Sequence, residues 1–114
     1  MYKILYYQTS SGACPVLELI QELDIKTRAK VFRHVDLLAR HGPNLLRPYA
    51  DTVRGKIREL RVRFGHNNIR IFYFFFKGNE IILVHSFFKK TQQLHAHDIN
   101  VAESRMIDWL YRFS

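Results

Sequence analysis

Lys56-Ile57-Arg58-Glu59-Leu60-Arg61-Val62-Arg63 carries the strongest local signal in the chain. Leu60, Val62 and Phe64 alternate with Glu59, Arg61 and Arg63, which is the period of a strand with one apolar and one charged face. Gly65-His66-Asn67-Asn68 then marks a turn. Two further apolar runs, Ile69–Phe76 and Glu80–Phe88, are joined by Lys77-Gly78-Asn79, a hairpin-type loop. Their near-continuous hydrophobicity predicts central strands covered on both faces. These three consecutive strands decide the fold class.

Working outward, Lys3-Ile4-Leu5-Tyr6-Tyr7 reads as another short strand, closed by Gln8-Thr9-Ser10-Ser11-Gly12. Pro15 suits the first turn of a helix, where its missing N–H is not needed. Val16, Leu19, Ile20 and Leu23 continue that helix. Asp24 is placed to cap a second one, whose apolar face is read as Ala29, Phe32, Val35, Leu38 and Ala39. Gly42-Pro43 ends it, and Asn44 to Gly55 reads as a loop. After the strands, Ile99, Ala102, Met106, Trp109, Leu110 and Phe113 recur at helical spacing, with Asp98 as the cap. The order β-α-α-β-β-β-α predicts a single α+β domain over residues 1–114, built on a mainly antiparallel sheet flanked by helices.

The charge supports a function for this sheet. The chain has 114 residues, 47% of them hydrophobic, and a net charge of +8 from 18 Lys+Arg against 10 Asp+Glu. Nine basic residues (Arg54, Lys56, Arg58, Arg61, Arg63, Arg70, Lys77, Lys89 and Lys90) fall between positions 54 and 91, against Glu59 and Glu80 alone, a local net of +7. The remaining 76 residues are almost neutral. A basic patch concentrated on strands is either a solvated surface or the footprint of a polyanion. The apolar runs are far shorter than the ~20 residues a membrane helix needs, and no secretory signal is expected. A soluble intracellular protein is expected, with nucleic acid as its default partner and no membrane partner. Cys14, the single cysteine, makes no internal disulfide.

Arginine brings a permanently charged, forked donor set that matches phosphate oxygens. Arg70 interrupts Ile69-Arg70-Ile71-Phe72-Tyr73, where an unpaired charge is costly to bury, so it either opens into a cleft or pairs with Glu59. Glu59 is a candidate to orient an arginine or to accept a proton. His85, in an apolar strand, is either a satisfied core histidine or a catalyst. His95-Ala96-His97-Asp98 lacks further ligands beside it and also fits a helix start, so no metal or other cofactor is assigned. No Gly-rich phosphate loop or nucleophile elbow is visible.

Arg58-Glu59-Leu60-Arg61, Arg70-Ile71-Phe72-Tyr73-Phe74 and His85-Ser86-Phe87-Phe88-Lys89-Lys90-Thr91-Gln92 resemble, in order, the three signature strands of phage-derived Gp49-like toxins. These are HigB-type members of the RelE/ParE toxin superfamily. The resemblance implies that superfamily's small domain and a type II toxin–antitoxin pair. The toxin would be a cytoplasmic, ribosome-dependent mRNA endonuclease, with a cognate antitoxin, the ribosome and mRNA as partners. Carried over by position, Arg61, Arg70, Lys89 and Lys90 are the catalytic candidates, with Glu59 beside them. Lys56, Arg58 and Arg63 are candidates for contacts to nucleic-acid phosphates. The implied chemistry is metal-independent attack of the RNA's own 2′-hydroxyl. The superfamily also contains non-nuclease toxins that inhibit DNA gyrase, and a plain RNA-binding module is a further alternative. The chain departs from the pattern at Leu94-His95-Ala96-His97, where family members often carry proline.

Overall fold

The computed structural model describes residues 1–91 and 96–114. Among them nine elements follow in order: β1 (Lys3–Tyr6), α1 (Pro15–Gln21), α2 (Ile25–His41), a 3₁₀ turn (Gly42–Asn44), β2 (Ala50–Arg54), β3 (Ile57–Phe64), β4 (Asn67–Phe76), β5 (Glu80–Phe88) and α3 (Ala96–Phe113). The strands form one mixed sheet in the order β1-β5-β4-β3-β2. β1 runs parallel to β5, and the other three pairings are antiparallel. The α+β class therefore stands, with one strand more than expected. β2 falls in the stretch read as loop. It is a polar edge strand next to Pro48, held by pairing with β3, so its own alternation is weak.

The two sheet faces are buried differently. On one, Leu60, Val62, Ile69, Ile71, Tyr73, Ile81 and Leu83 pack against Val16, Ile20, Val31, Val35 and Leu38 of α1 and α2. On the other, Ile57, Phe72, Phe74, Ile82 and Val84 pack against Ile99, Ala102 and Trp109 of α3. Alternate residues of the central strands thus enter two cores, which explains their continuous apolar character. The aromatic run Phe72, Tyr73 and Phe74 is core.

Asp24 caps α2 as expected, accepting from Thr27 N at 3.2 Å and from Thr27 Oγ1 at 2.5 Å. The buried stripe of α2 is Thr27, Val31, Val35, Leu38 and Ala39. Ala29 and Phe32 face solvent, contrary to the expected face. Thr27 and Val31 extend the i, i+4 series of Val35 backwards, whereas Ala29 lies two residues from each of them, about 200° around the helix. Asp98 lies within the first turn of α3 rather than before it, with its carboxylate on His85.

α3 is fastened by polar contacts at several points. Arg54 donates to both carboxylate oxygens of Glu103, at 2.7 and 3.2 Å, and to Asn100. Tyr7 Oη donates to Asp108 at 2.7 Å. Arg105 donates to the Val84 carbonyl at 2.9 Å. Among the described residues no helix is long and apolar enough to cross a membrane.

Candidate functional site

β3 and β4 are paired so that Glu59 faces Phe72, Arg61 faces Arg70, and Arg63 faces Asn68. Directly opposed residues share a sheet face, so the three charges predicted on one side of β3 do share it, joined there by Arg70. The apolar residues between them, Leu60 and Val62, point into the α1/α2 core. This is what holds the guanidinium stems in a fixed register.

Both readings of Arg70 hold together. Its NH1 donates to Glu59 Oε2 at 3.2 Å, and the same oxygen accepts from Arg61 Nε at 2.8 Å. Arg61 NH2 also reaches Asp51 Oδ2 at 3.2 Å, an oxygen shared with Arg47. The result is a chain of alternating charge, Arg47–Asp51–Arg61–Glu59–Arg70. The hydrogen bond from Arg47, then that from Thr52 N, and the nearby Arg47 and Arg61 charges hold the Asp51 carboxyl below the usual carboxylate range, against a weaker opposing effect of burial. Three arginines against two acids leave one positive charge over. Arg70 is 11% exposed at its side chain, and its Nε is buried with no hydrogen-bond partner among the described residues. A buried donor left unpaired costs about 1–3 kcal/mol, so this guanidinium is only half satisfied by the protein.

A cleft of about 500 Å³ opens beside this chain, lined by Lys30 and His34 of α2, by Pro48 and Tyr49, and by Arg61, Arg63, Asn68 and Arg70. It lies before β2 begins: Ala50 opposite Leu60 is its first ladder pair, and ahead of that Tyr49 accepts a bond from Arg61 N at 2.8 Å. No acid lines the cleft among the described residues. Arg63 is exposed and Lys30 half-buried, and neither has a carboxylate partner among them; Lys30 Nζ stands 5.5 Å from the centre of the Phe64 ring. Four cations thus converge, Arg61 and Arg70 held by acids that do not line the cleft and Arg63 and Lys30 without a carboxylate partner among the described residues, the arrangement that attracts a phosphodiester.

The other candidates are dispersed. Arg58 points to the opposite face, its Nε 3.4 Å from Tyr73 Oη. Lys56 sits in the β2–β3 turn, seven residues from Arg63 and therefore about 23 Å away along the strand. Lys89 joins the start of β4 through its backbone N–H to the Asn68 carbonyl at 2.7 Å, but neither it nor Lys90 lines the cleft. Gln92, Leu94 and His95 lie outside the described residues. Among the described residues no group of three His, Cys, Asp or Glu stands close enough to hold a metal ion.

His85 is a satisfied histidine. Its Nε2 lies 2.6 Å from Asp98 Oδ1, and its Nδ1 lies 3.3 Å from Arg105 NH1, which can only donate. Nδ1 is therefore the acceptor and Nε2 carries the hydrogen. Burial outweighs the Asp98 carboxylate and pulls the imidazole below its ordinary 6.5. A bulge puts it there: Tyr73 pairs with Leu83 but Phe72 pairs with His85, so Val84 is an extra residue. From that point His85 and Phe87 lie on the face of Phe72 and Arg70, with Phe87 packed edge-on against Phe72 at 5.2 Å.

Lys30, His34, Tyr49 and Asp51 have no motif of their own in the sequence. The tertiary fold alone brings α2 and the 48–51 stretch to Arg61.

A small α+β domain with a cationic cleft at an open strand edge is the class of protein these features define. The chain belongs to the family described as phage-derived protein Gp49-like (DUF891), whose pattern it matches over residues 18–107. That span includes every residue lining the cleft. No curated protein matches the chain significantly.

Proposed function

We propose that this Gp49-like chain is the toxin of a type II toxin–antitoxin pair and cuts mRNA on the ribosome, without a metal ion. Its 2′-hydroxyl attack would leave a cyclic phosphate and a free 5′-hydroxyl. Arg70 is the observation that carries the reading. Its guanidinium is held against Glu59 beside Arg61, and with Arg61, Arg63 and Lys30 it lines a cleft with no acid among the described residues, an arrangement matched to an anion. Held rigidly by Glu59, Arg61 and Arg70 would stabilise charge developing on the phosphorane oxygens, commonly the largest contribution to such catalysis. Arg63 would contact the flanking backbone and Phe87 would offer a ring beside it. A cognate antitoxin would neutralise the site, and the cytoplasm would be its place of action.

The test is to add the protein to ribosomes translating a defined mRNA and to map the new 5′ ends with and without chelator. Cuts at defined codon positions that persist in chelator are expected. Intact mRNA accompanied by cleaved, gyrase-bound DNA would overturn the reading in favour of a gyrase-directed toxin.

A further inference from the structure

We infer that His34 is the proton acceptor of the cleft, its Nε2 taking the proton of the ribose 2′-hydroxyl that attacks the neighbouring phosphorus. The inference rests on the RNA-cleaving reading above. Its first support is the tautomer. His34 Nδ1 lies 3.1 Å from the Arg61 carbonyl oxygen. A carbonyl can only accept, so Nδ1 carries the hydrogen, and in the neutral ring Nε2 keeps its lone pair. No other hydrogen bond ties this ring among the described residues. His85, by contrast, has both nitrogens engaged.

Position is the second support. His34 lines the same cleft as Arg61 and Arg70, and is anchored to the backbone of Arg61 itself. Tyr49 packs edge-on against the imidazole, with ring centres 5.7 Å apart at 66°, which restrains its plane. An acceptor fixed to the same residue that grips the phosphate keeps proton transfer and charge stabilisation in register.

Surroundings are the third. Among the described residues the charged groups that line the cleft or act on the ring are all cations: Lys30 and Arg33 from α2, Arg61 and Arg63 from β3, and Arg70 from β4. Tyr49 is the one other titratable neighbour lining the cleft among the described residues. Burial, followed by Lys30 and Arg33, holds the imidazole below its ordinary 6.5, although the Arg61 carbonyl pulls the other way. The ring is then neutral at pH 7 and able to accept a proton. Glu59 is less suited, since its Oε2 is held by two arginines.

The step balances. O2′ bonds to phosphorus as its proton passes to Nε2, and the P–O5′ bond breaks. O5′ takes a proton from water, and the hydroxide so formed recovers the proton on the imidazolium. The products are a 2′,3′-cyclic phosphate and a 5′-hydroxyl, with no net consumption of water or protons.

His34→Asn is the discriminating variant, because the asparagine amide can keep an N–H near the Nδ1 position while the distal nitrogen is lost. Full-length wild type and variant are compared between pH 5 and 9 on ribosomes programmed with the defined mRNA. Affinity is measured with the same mRNA carrying a single 2′-deoxy residue at the cut site. A cleavage rate reduced by about 10²–10⁴-fold, with affinity unchanged and the acidic limb of the pH profile lost, supports the inference. A wild-type rate and pH profile in the variant overturn it and leave the RNA-cleaving reading intact. Wild-type protein that cuts no RNA overturns both. Nitrogen-15 NMR of the wild-type imidazole serves if the variant does not fold: an unprotonated Nε2 at pH 7 is expected, and a protonated one overturns the inference.

Discussion

Glu59 is the point at which the site can be tested as a physical object, independent of any substrate. Glu59→Gln keeps the shape of the side chain and one acceptor but removes the charge that two guanidiniums share. Glu59 is 9% exposed, and the Arg70 side chain beside it is 11% exposed, so their contact is a buried ion pair at 3.2 Å. Breaking such a pair by neutralising one partner costs about 3–5 kcal/mol when the other charge is left uncompensated. The glutamine amide oxygen can still accept one bond, which brings this contribution to about 2 kcal/mol. The Arg61 side chain is 32% exposed and has Asp51 as a second partner, so its share falls to the surface scale, about 0.5–1 kcal/mol. The expected loss is about 3 kcal/mol in all. For a domain of this length that lowers the melting temperature by about 12 °C. The assay is urea unfolding of wild type, Glu59→Gln, Arg70→Met and the double variant. A loss below about 0.5 kcal/mol, or a coupling energy near zero between the two positions, would refute the shared-acid arrangement.

Other consequences can be checked in parallel. Arg61→Ala and Arg70→Ala should each lower cleavage by at least about 10²-fold in the ribosome assay, and Arg70→Lys should restore little, because a lysine has no fork. Arg63→Ala should weaken RNA binding and reduce the salt slope by roughly one charge, whereas Arg58→Ala, on the opposite face, should change neither; salt titration of binding reads both. His34 and His85 are held below their unfolded value of 6.5, so the unfolded chain takes up protons first as pH falls. Stability should therefore drop as pH falls below about 6.5 by their joint contribution, and His85→Gln should remove its share of that fall in the urea midpoint, leaving the share of His34. Gly42 has φ +54°, and an added Cβ would strike the Tyr2 ring, which is edge-packed on Phe75. Gly42→Ala should cost roughly 2–3 kcal/mol, read from the same unfolding curves.

Much of this was legible in the residues themselves. The alternation of β3, the two long apolar strands and the cap at Asp24 reflect local rules, and the structure bears them out, except that β4 begins at Asn67, so Asn67 and Asn68, read as turn, pair with Phe64 and Arg63. β2 escapes them because Ala50-Asp51-Thr52-Val53-Arg54 is an edge strand whose hydrogen bonds come from its neighbour. The stripe of α2 is offset because Thr27, a polar residue, is buried through its bond to Asp24. His85 is a similar case: straight alternation with Ile81 and Leu83 would send it to the α1/α2 face, and the Val84 bulge turns it to the other.

The candidate site divides along the same line. Glu59, Arg61 and Arg63 must share a face once β3 is a strand, and Arg70 must be reckoned with because it breaks an apolar run. Period and solvation energy decide both, and neither needs knowledge of a distant residue. Whether Arg70 pairs or faces a cleft depends on register, which the β3–β4 turn sets, and the answer is that it does both. Lys30, His34, Tyr49 and Asp51 reach the site across separations of 10 to 31 positions from Arg61. A helix packed on one face and a strand that begins only at Ala50 bring them there. The sequence by itself therefore determined that this sheet presents arginines on a rigid strand. Only the tertiary structure decided which neighbours surround them, because those contacts arise from packing between elements and leave no periodic trace in the chain.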